Sequence, residues 1–199
     1  MAPDPDAALV LAFQRGDEAA FRALFEKYAR AMAAFCHRFV RDTARAEELA
    51  QDVFLKVHRA AADWRPGASF RSWLYRIASN HCLNELRRGE YAARRARDRR
   101  EGSHPVDPDE LAGDAATPEQ AAEGAALSRA VEALLESLPE KQRAAFVLCR
   151  FEGLSYEEIA RALDTSVAAV KSLVHRATVS AAEALAPVAT LPLRKEALP

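Results

Sequence analysis

Two small all-α domains joined by a flexible linker, the second a helix-turn-helix domain, are what the sequence predicts, on three observations. Apolar residues recur at spacings of three and four over two long stretches. Alanine dominates and only seven glycines are present, a composition that favours helices over strands. Between Gly89 and Ala126 the periodicity fails. It gives way to an Arg-rich run (Arg94, Arg95, Arg97, Arg99, Arg100) and then to an acidic one broken by Pro105, Pro108 and Pro118, the composition of a linker. The boundaries that follow are a first domain at 7–88, a linker at 89–126, a second domain at 127–186 and a tail at 187–199.

Each element has its own signal. From Gly16 and Asp17 onward, Phe21, Leu24, Phe25, Tyr28, Met32, Phe35, Cys36, Phe39 and Val40 mark one face of a long helix that Asp42 and Thr43 break. Residues Ala46–Ala61 form a second helix, with Leu49, Ala50, Val53, Phe54 and Val57 inward and Glu47, Glu48, Gln51, Asp52, Lys56 and Arg59 outward. The segment Asp63–Ser69 reads as a loop, because Pro66-Gly67 is a turn signal and Ser69 can cap the next helix, Phe70–Arg88. In the second domain Leu127, Val131, Leu134, Leu135 and Leu138 form a stripe ending before Pro139. A further helix covers Glu140–Phe151, and Gly153 supplies its left-handed cap.

The segment Leu154–Ala177 reads as a helix-turn-helix. Ser155 and Glu158 make a capping box, Ile159, Ala160 and Leu163 face inward, and Asp164-Thr165 turns the chain. Ser166 then caps a helix whose inner face is Val167, Val170, Val174 and Ala177. Its outer face shows Ala168, Ala169, Lys171, Ser172, His175 and Arg176, with no acidic group between Val167 and Ser180. An acid-free cationic face suits a phosphate-lined major groove. The segment by itself is also compatible with an ordinary helical hairpin in a bundle.

The net charge of −1 hides a strong polarity: residues 1–100 carry +6 and residues 101–199 carry −7. The stretch Trp64–Arg100 holds ten Arg against Glu85, Glu90 and Asp98, an electrostatic footprint for nucleic acid, with a solvated Arg face as the bland alternative. On its helix Phe70, Trp73, Leu74 and Ile77 follow core spacing. Arg71, Ser72, Tyr75, Arg76, Asn80, Asn84 and Arg87 take the remaining surface. Tyr75 and loop residue Trp64 are therefore the expected stacking partners for an unpaired base.

Other chemistries find little support. Cys36, Cys82 and Cys149 are widely spaced and odd in number, which is no disulfide framework and fits a reducing compartment. The pairs Cys36-His37 and His81-Cys82 lack the closely spaced partners of a structural zinc site, so buried cysteine and no metal is the expectation. No nucleophile elbow, paired-carboxylate motif or Walker lysine appears, so neither a catalytic residue nor a cofactor is expected. The apolar run Ala7–Phe13 is too short for a membrane span and follows Asp4 and Asp6, so the chain is expected to stay in the cytoplasm.

Three motifs in order, Ala46–Val57, Phe70–Asn80 ending in Leu86-Arg87-Arg88, and the helix-turn-helix, resemble a bacterial RNA polymerase sigma factor of the extracytoplasmic-function (ECF) type. The resemblance implies a transcription initiation factor rather than an enzyme, with core RNA polymerase, promoter DNA and an anti-sigma protein as partners. It implies core docking by Glu48, Gln51, Asp52 and Lys56. It implies minus-ten reading and strand capture by Trp64, Arg65, Arg71, Tyr75, Arg76, Asn80, Asn84 and Arg87, and minus-thirty-five reading by Lys171, Ser172, His175 and Arg176. Asp164 departs from the family's usual turn glycine, Ala169 from a usual threonine and Leu173 from a frequent arginine, so a different minus-thirty-five readout is implied. Without the resemblance, a helix-turn-helix regulator that never docks on polymerase, or a helical interaction scaffold, accounts for part of the pattern.

Overall fold

The computed structural model describes residues 4–67, 69–97 and 118–189; Ala68, 98–117 of the expected linker and 190–199 of the expected tail lie outside them. Among the described residues every regular element of appreciable length is a helix. In chain order these are α1 (Pro5–Gln14), α2 (Glu18–Val40), α3 (Thr43–Ala60), a single 3-10 turn (Ala61–Asp63) and α4 (Phe70–Arg97). There follow α5 (Pro118–Ser137), α6 (Glu140–Arg150), α7 (Tyr156–Ala162) and α8 (Val167–Ala189).

Local chemistry sets most of the boundaries. The carboxylates of Asp4, Asp17 and Asp42 each accept from a first-turn N–H of the helix that follows, satisfying donors that an α-helix leaves open at its start. In α7 the capping box is complete: Ser155 Oγ accepts from Glu158 N at 3.2 Å, and Glu158 Oε2 accepts from Ser155 N at 2.9 Å. Gly153 takes φ +61° after α6, as its type allows. Asp164 takes φ +49° between α7 and α8, a conformation Asp tolerates better than most residues, and Thr165 N donates to Ala160 O at 2.9 Å across that turn.

Several boundaries differ from expectation. Helix α3 starts at Thr43 rather than Ala46, because Asp42, read as a break after α2, caps it. Helix α4 runs on to Arg97 and α5 already starts at Pro118, so both enter the stretch expected to be linker. Loss of an apolar stripe removes a core-facing side, not helix propensity, and Ala- and Arg-rich sequence propagates a helix well. Proline at the first position of α5 is compatible with helix initiation. The apolar run expected only to be too short for a membrane proves to be α1, capped by Asp4. No helix among the described residues is long and apolar enough to cross a membrane.

Helices α1–α4 enclose one core, in which Leu24, Met32, Phe35, Cys36, Leu49, Val53, Phe70 and Leu74 are buried. Helices α5–α8 enclose another around Leu134, Val147, Leu148, Ile159, Val170 and Ala177. The two are not independent: α4 packs against α6 and α7, α2 packs against α5, and the buried apolar residues of both units form one continuous cluster.

Candidate functional site

Helix α8 presents the cationic face that its spacing promised. Lys171, Ser172, His175 and Arg176 are exposed, while Val170, Val174 and Ala177 are buried on a helix that packs against α5, α6 and α7. Ser166 Oγ accepts from Ala169 N at 3.2 Å, which starts the helix and fixes which side chains point outward.

On α3, Glu48, Gln51, Asp52 and Lys56 are likewise exposed, on the side opposite buried Leu49, Val53 and Val57. Glu48 accepts from Arg45 at 2.6 Å, and Arg45 also reaches Glu85 of α4 at 2.6 Å. Lys56 and Asp52 are bridged from below by buried His81: Lys56 Nζ lies 2.6 Å from Nδ1, and Asp52 Oδ2 lies 3.3 Å from Nε2. An ammonium only donates, so Nδ1 is the acceptor and the proton of the neutral ring sits on Nε2, facing Asp52.

Burial first, and then the Lys56 charge, hold the His81 pKa below its ordinary value, although Asp52 and Glu85 oppose the shift. A folded-state pKa below the unfolded one means that stability from this site is complete above pH about 6.5 and falls as acid protonates the unfolded chain first. A heteronuclear NMR titration is expected to find His81 as the Nε2–H tautomer with a midpoint below 6.5; a midpoint at or above 6.5 would exclude this arrangement.

On α4, Arg76, Asn80, Asn84 and Arg87 are all exposed and recur at helical spacing, so four of the expected contact residues share one stripe. Trp73, expected in the core, lies at the edge of that stripe, half-buried with its ring 5.9 Å from that of Phe70. Arg65 is exposed in the loop, and Arg71 is half-buried.

Tyr75 and Trp64 are corrections. Tyr75 is 1% exposed, its ring 5.2 Å from Phe35 and its hydroxyl donating to Glu152 of the second unit. Burial and then Glu152 push its phenol above the ordinary tyrosine range. Trp64 is 4% exposed and closes the core behind the 3-10 turn. Ser72, also expected on the surface, is buried as well. Periodicity assigns faces relative to one helix, and here a second unit covers a face that α4 alone would leave open.

Glu152, which the sequence marked only as the end of a helix, is the centre of that cover. Its carboxylate accepts from Tyr75 and pairs with Arg38 at 3.5 Å, and its backbone carbonyl accepts from Arg71. Further pairs join Arg41 to Glu132 (3.0 Å) and Glu136, and Arg87 to Glu140 (3.2 Å). In all of these the cation comes from the basic half of the chain and the anion from the acidic half. Glu158 completes the contact, accepting from Ser72 Oγ at 2.8 Å and Ser69 Oγ at 3.2 Å. Burial alone would raise its pKa, but the hydrogen bonds from Ser155, Ser72 and Ser69 together hold it below the usual carboxylate range.

Cys36 and Cys82 are free and buried with sulfurs 3.7 Å apart. The hydrogen bond between them, and then burial, raise the Cys82 thiol well above its ordinary pKa. No group of three potential metal ligands occurs among the described residues.

Residues 24–91 match the family Sigma-70 region 2, and residues 128–178 match Sigma-70, region 4. Over 197 residues the chain is 36% identical to the RNA polymerase sigma-H factor of Pseudomonas aeruginosa, spanning 93% of this chain and 96% of that protein. It is 34% identical over 180 residues to the ECF RNA polymerase sigma-E factor of Escherichia coli strain K12, spanning 86% and 90% respectively. Its fold is similar to that of CnrH, solved in complex with the cytosolic domain of CnrY, with a TM-score of 0.66, 25% identity and coverage of 92% and 97%.

Proposed function

The chain belongs to the ECF RNA polymerase sigma factors, which makes it a transcription initiation factor that binds core polymerase and promoter DNA, and from that premise we propose how its surfaces divide the work. The α3 face of Glu48, Gln51, Asp52 and Lys56 docks on core polymerase. Loop 64–69 and the α4 stripe read the minus-ten element and hold the separated strand. The α8 face of Lys171, Ser172, His175 and Arg176 reads the minus-thirty-five element. The observation that carries this reading is the stripe itself: Arg76, Asn80, Asn84 and Arg87 are exposed on one side of α4, with the half-buried ring of Trp73 at its edge.

Strand capture then rests on a different aromatic from the one the spacing favoured. Trp73 is half-buried, whereas Tyr75 and Trp64 are buried. A base–aromatic stack contributes about 1–3 kcal/mol, so a stack plus phosphate contacts offsets much of the opening of a few base pairs without nucleotide hydrolysis. Polymerase supplies the chemistry; this chain supplies binding and position, in the cytoplasm.

The described arrangement is a resting form. Arg71 and Arg87, both proposed strand contacts, are held by the second unit. Polymerase, by seating the two units at the spacing of the promoter elements, releases them, and the free chain is expected to bind promoter DNA poorly. An anti-sigma protein is the third proposed partner, in keeping with the protein-bound state in which CnrH was solved. It would favour the closed form. Half-buried Leu173 and Ala169, in place of the family's polar residues, narrow the minus-thirty-five contact to the four exposed side chains.

Run-off transcription with core polymerase and a promoter library randomised at both elements tests the reading. Transcripts are expected only with this chain present. Arg176→Ala is expected to lower yield roughly tenfold and to erase upstream sequence preference, while Arg76→Ala is expected to impair duplex templates more than pre-opened ones. Tight sequence-specific DNA binding without polymerase would favour an autonomous helix-turn-helix regulator, and unchanged transcription in both variants would favour an interaction scaffold.

A further inference from the structure

Helix α1 precedes the matched family regions, which start at residue 24, yet its two ends hold both ends of loop 64–69. At the C-terminal end of α1, Gln14 Nε2 donates to the carbonyls of Ala61 (2.7 Å) and Trp64 (2.8 Å), so one amide group ties the 3-10 turn to the start of the loop. At the other end, the Asp4 carboxylate serves two helices at once. Oδ1 accepts from Asp6 N of α1 at 3.0 Å, and Oδ2 accepts from Phe70 N, the first residue of α4, at 2.8 Å. Placing a carboxylate where two helix N-termini converge is favourable for both.

Helix α1 is itself anchored rather than loosely attached. Buried Asp6 accepts from Lys27 at 2.6 Å and from Tyr28 Oη at 2.5 Å, both on α2, and Val10 is buried in the core. The clamp thus ties the four-helix core to a loop whose middle, Arg65-Pro66-Gly67, is exposed, with the Arg65 side chain donating back to the carbonyls of Ala62 and Trp64.

We infer that α1 is a clamp that presets the minus-ten loop, with Gln14 and Asp4 as positioning residues for strand capture, although neither touches the strand. The inference rests on the assignment of loop 64–69 to the minus-ten element. A loop held in its binding shape loses less freedom on capture, so its effect appears in affinity for the separated strand and not in polymerase docking, which uses α3.

The test uses holoenzyme assembled from full-length chain and core polymerase. The probe is a labelled single-stranded oligonucleotide carrying the non-template minus-ten sequence recovered by the run-off selection. Gln14→Met removes the donor at nearly constant shape, and Gln14→Glu replaces it with an acceptor facing two carbonyls. Asp4→Ala removes the shared cap, whereas Asp4→Asn retains one accepting oxygen of the two. Expected are losses of about tenfold in strand affinity for Gln14→Met and Asp4→Ala, a larger loss for Gln14→Glu, and an intermediate loss for Asp4→Asn, whose single amide oxygen caps only one of the two helix starts, all at unchanged core affinity. Strand affinity within twofold of the parent for folded Gln14→Met and Asp4→Ala would overturn the inference, as would parallel losses in strand and core affinity. If the parent holoenzyme shows no preference for the minus-ten strand, the loop assignment fails instead, which separates the two ideas.

Discussion

Glu152→Ala is expected to separate the two helical units. Glu152 is 7% exposed, and its carboxylate accepts a hydrogen bond from the buried Tyr75 hydroxyl and pairs with Arg38. Removing it leaves the Tyr75 hydroxyl buried without its acceptor and half-buried Arg38 without its counter-charge. A lost hydrogen bond to a charged group, with its donor stranded, costs roughly 2–3 kcal/mol, which moves a closed-to-open ratio by roughly 30- to 150-fold. Fluorescence energy transfer between dyes on the exposed faces of α3 and α8 reads the separation directly. Binding of promoter DNA without polymerase is expected to rise in step, because Arg71 and Arg87 are released. Glu152→Gln, which keeps an acceptor for Tyr75 but not the charge, is expected to fall between. An unchanged dye distance in Glu152→Ala would show that apolar packing of α4 on α6 and α7 holds the units together without it.

Phe35→Ala is expected to give the largest loss of stability. The side chain is fully buried, in ring contact with Phe39 at 5.0 Å and Tyr75 at 5.2 Å. Truncating a buried phenylalanine costs about 3–5 kcal/mol, a large share of the roughly 5–15 kcal/mol by which such chains are stable. The cavity would open directly beneath Tyr75, so the interunit contact through Glu152 should weaken along with the core. Urea unfolding with the slope held in common measures the first effect and the dye distance the second. A loss of less than about 1 kcal/mol would mean that neighbours collapse into the space. Phe35→Leu, which preserves more of the volume, is expected to lose much less.

The charge polarity of the chain carries two meanings. Counted along the sequence, a basic first half and an acidic second half point to a nucleic-acid surface in the first. In the folded chain the same imbalance also draws the halves together, since Arg38, Arg41 and Arg87 each meet a glutamate of the second unit. Part of the basic surface is thus neutralised by carboxylates of its own chain.

What the amino-acid sequence determined unaided is everything that depends on near neighbours. The all-α class, the starts of α2 and α8, the capping box of α7, the left-handed Gly153 and Asp164, and the outward sets on α3 and α8 were legible, because caps and helical faces are settled within a few residues. The α4 stripe was legible for the same reason, except where the tertiary arrangement intervened. Only that arrangement decided that Tyr75 and Trp64 are buried, that Trp73 is half-open, and that Gln14 and Asp4 reach the loop. It also made Glu152 a hub joining Arg38 and Tyr75, residues 114 and 77 positions away. Such polar contacts leave no period in the sequence. They arise where packing brings two helices together, and the direction of that packing is set by cores that many residues build in common.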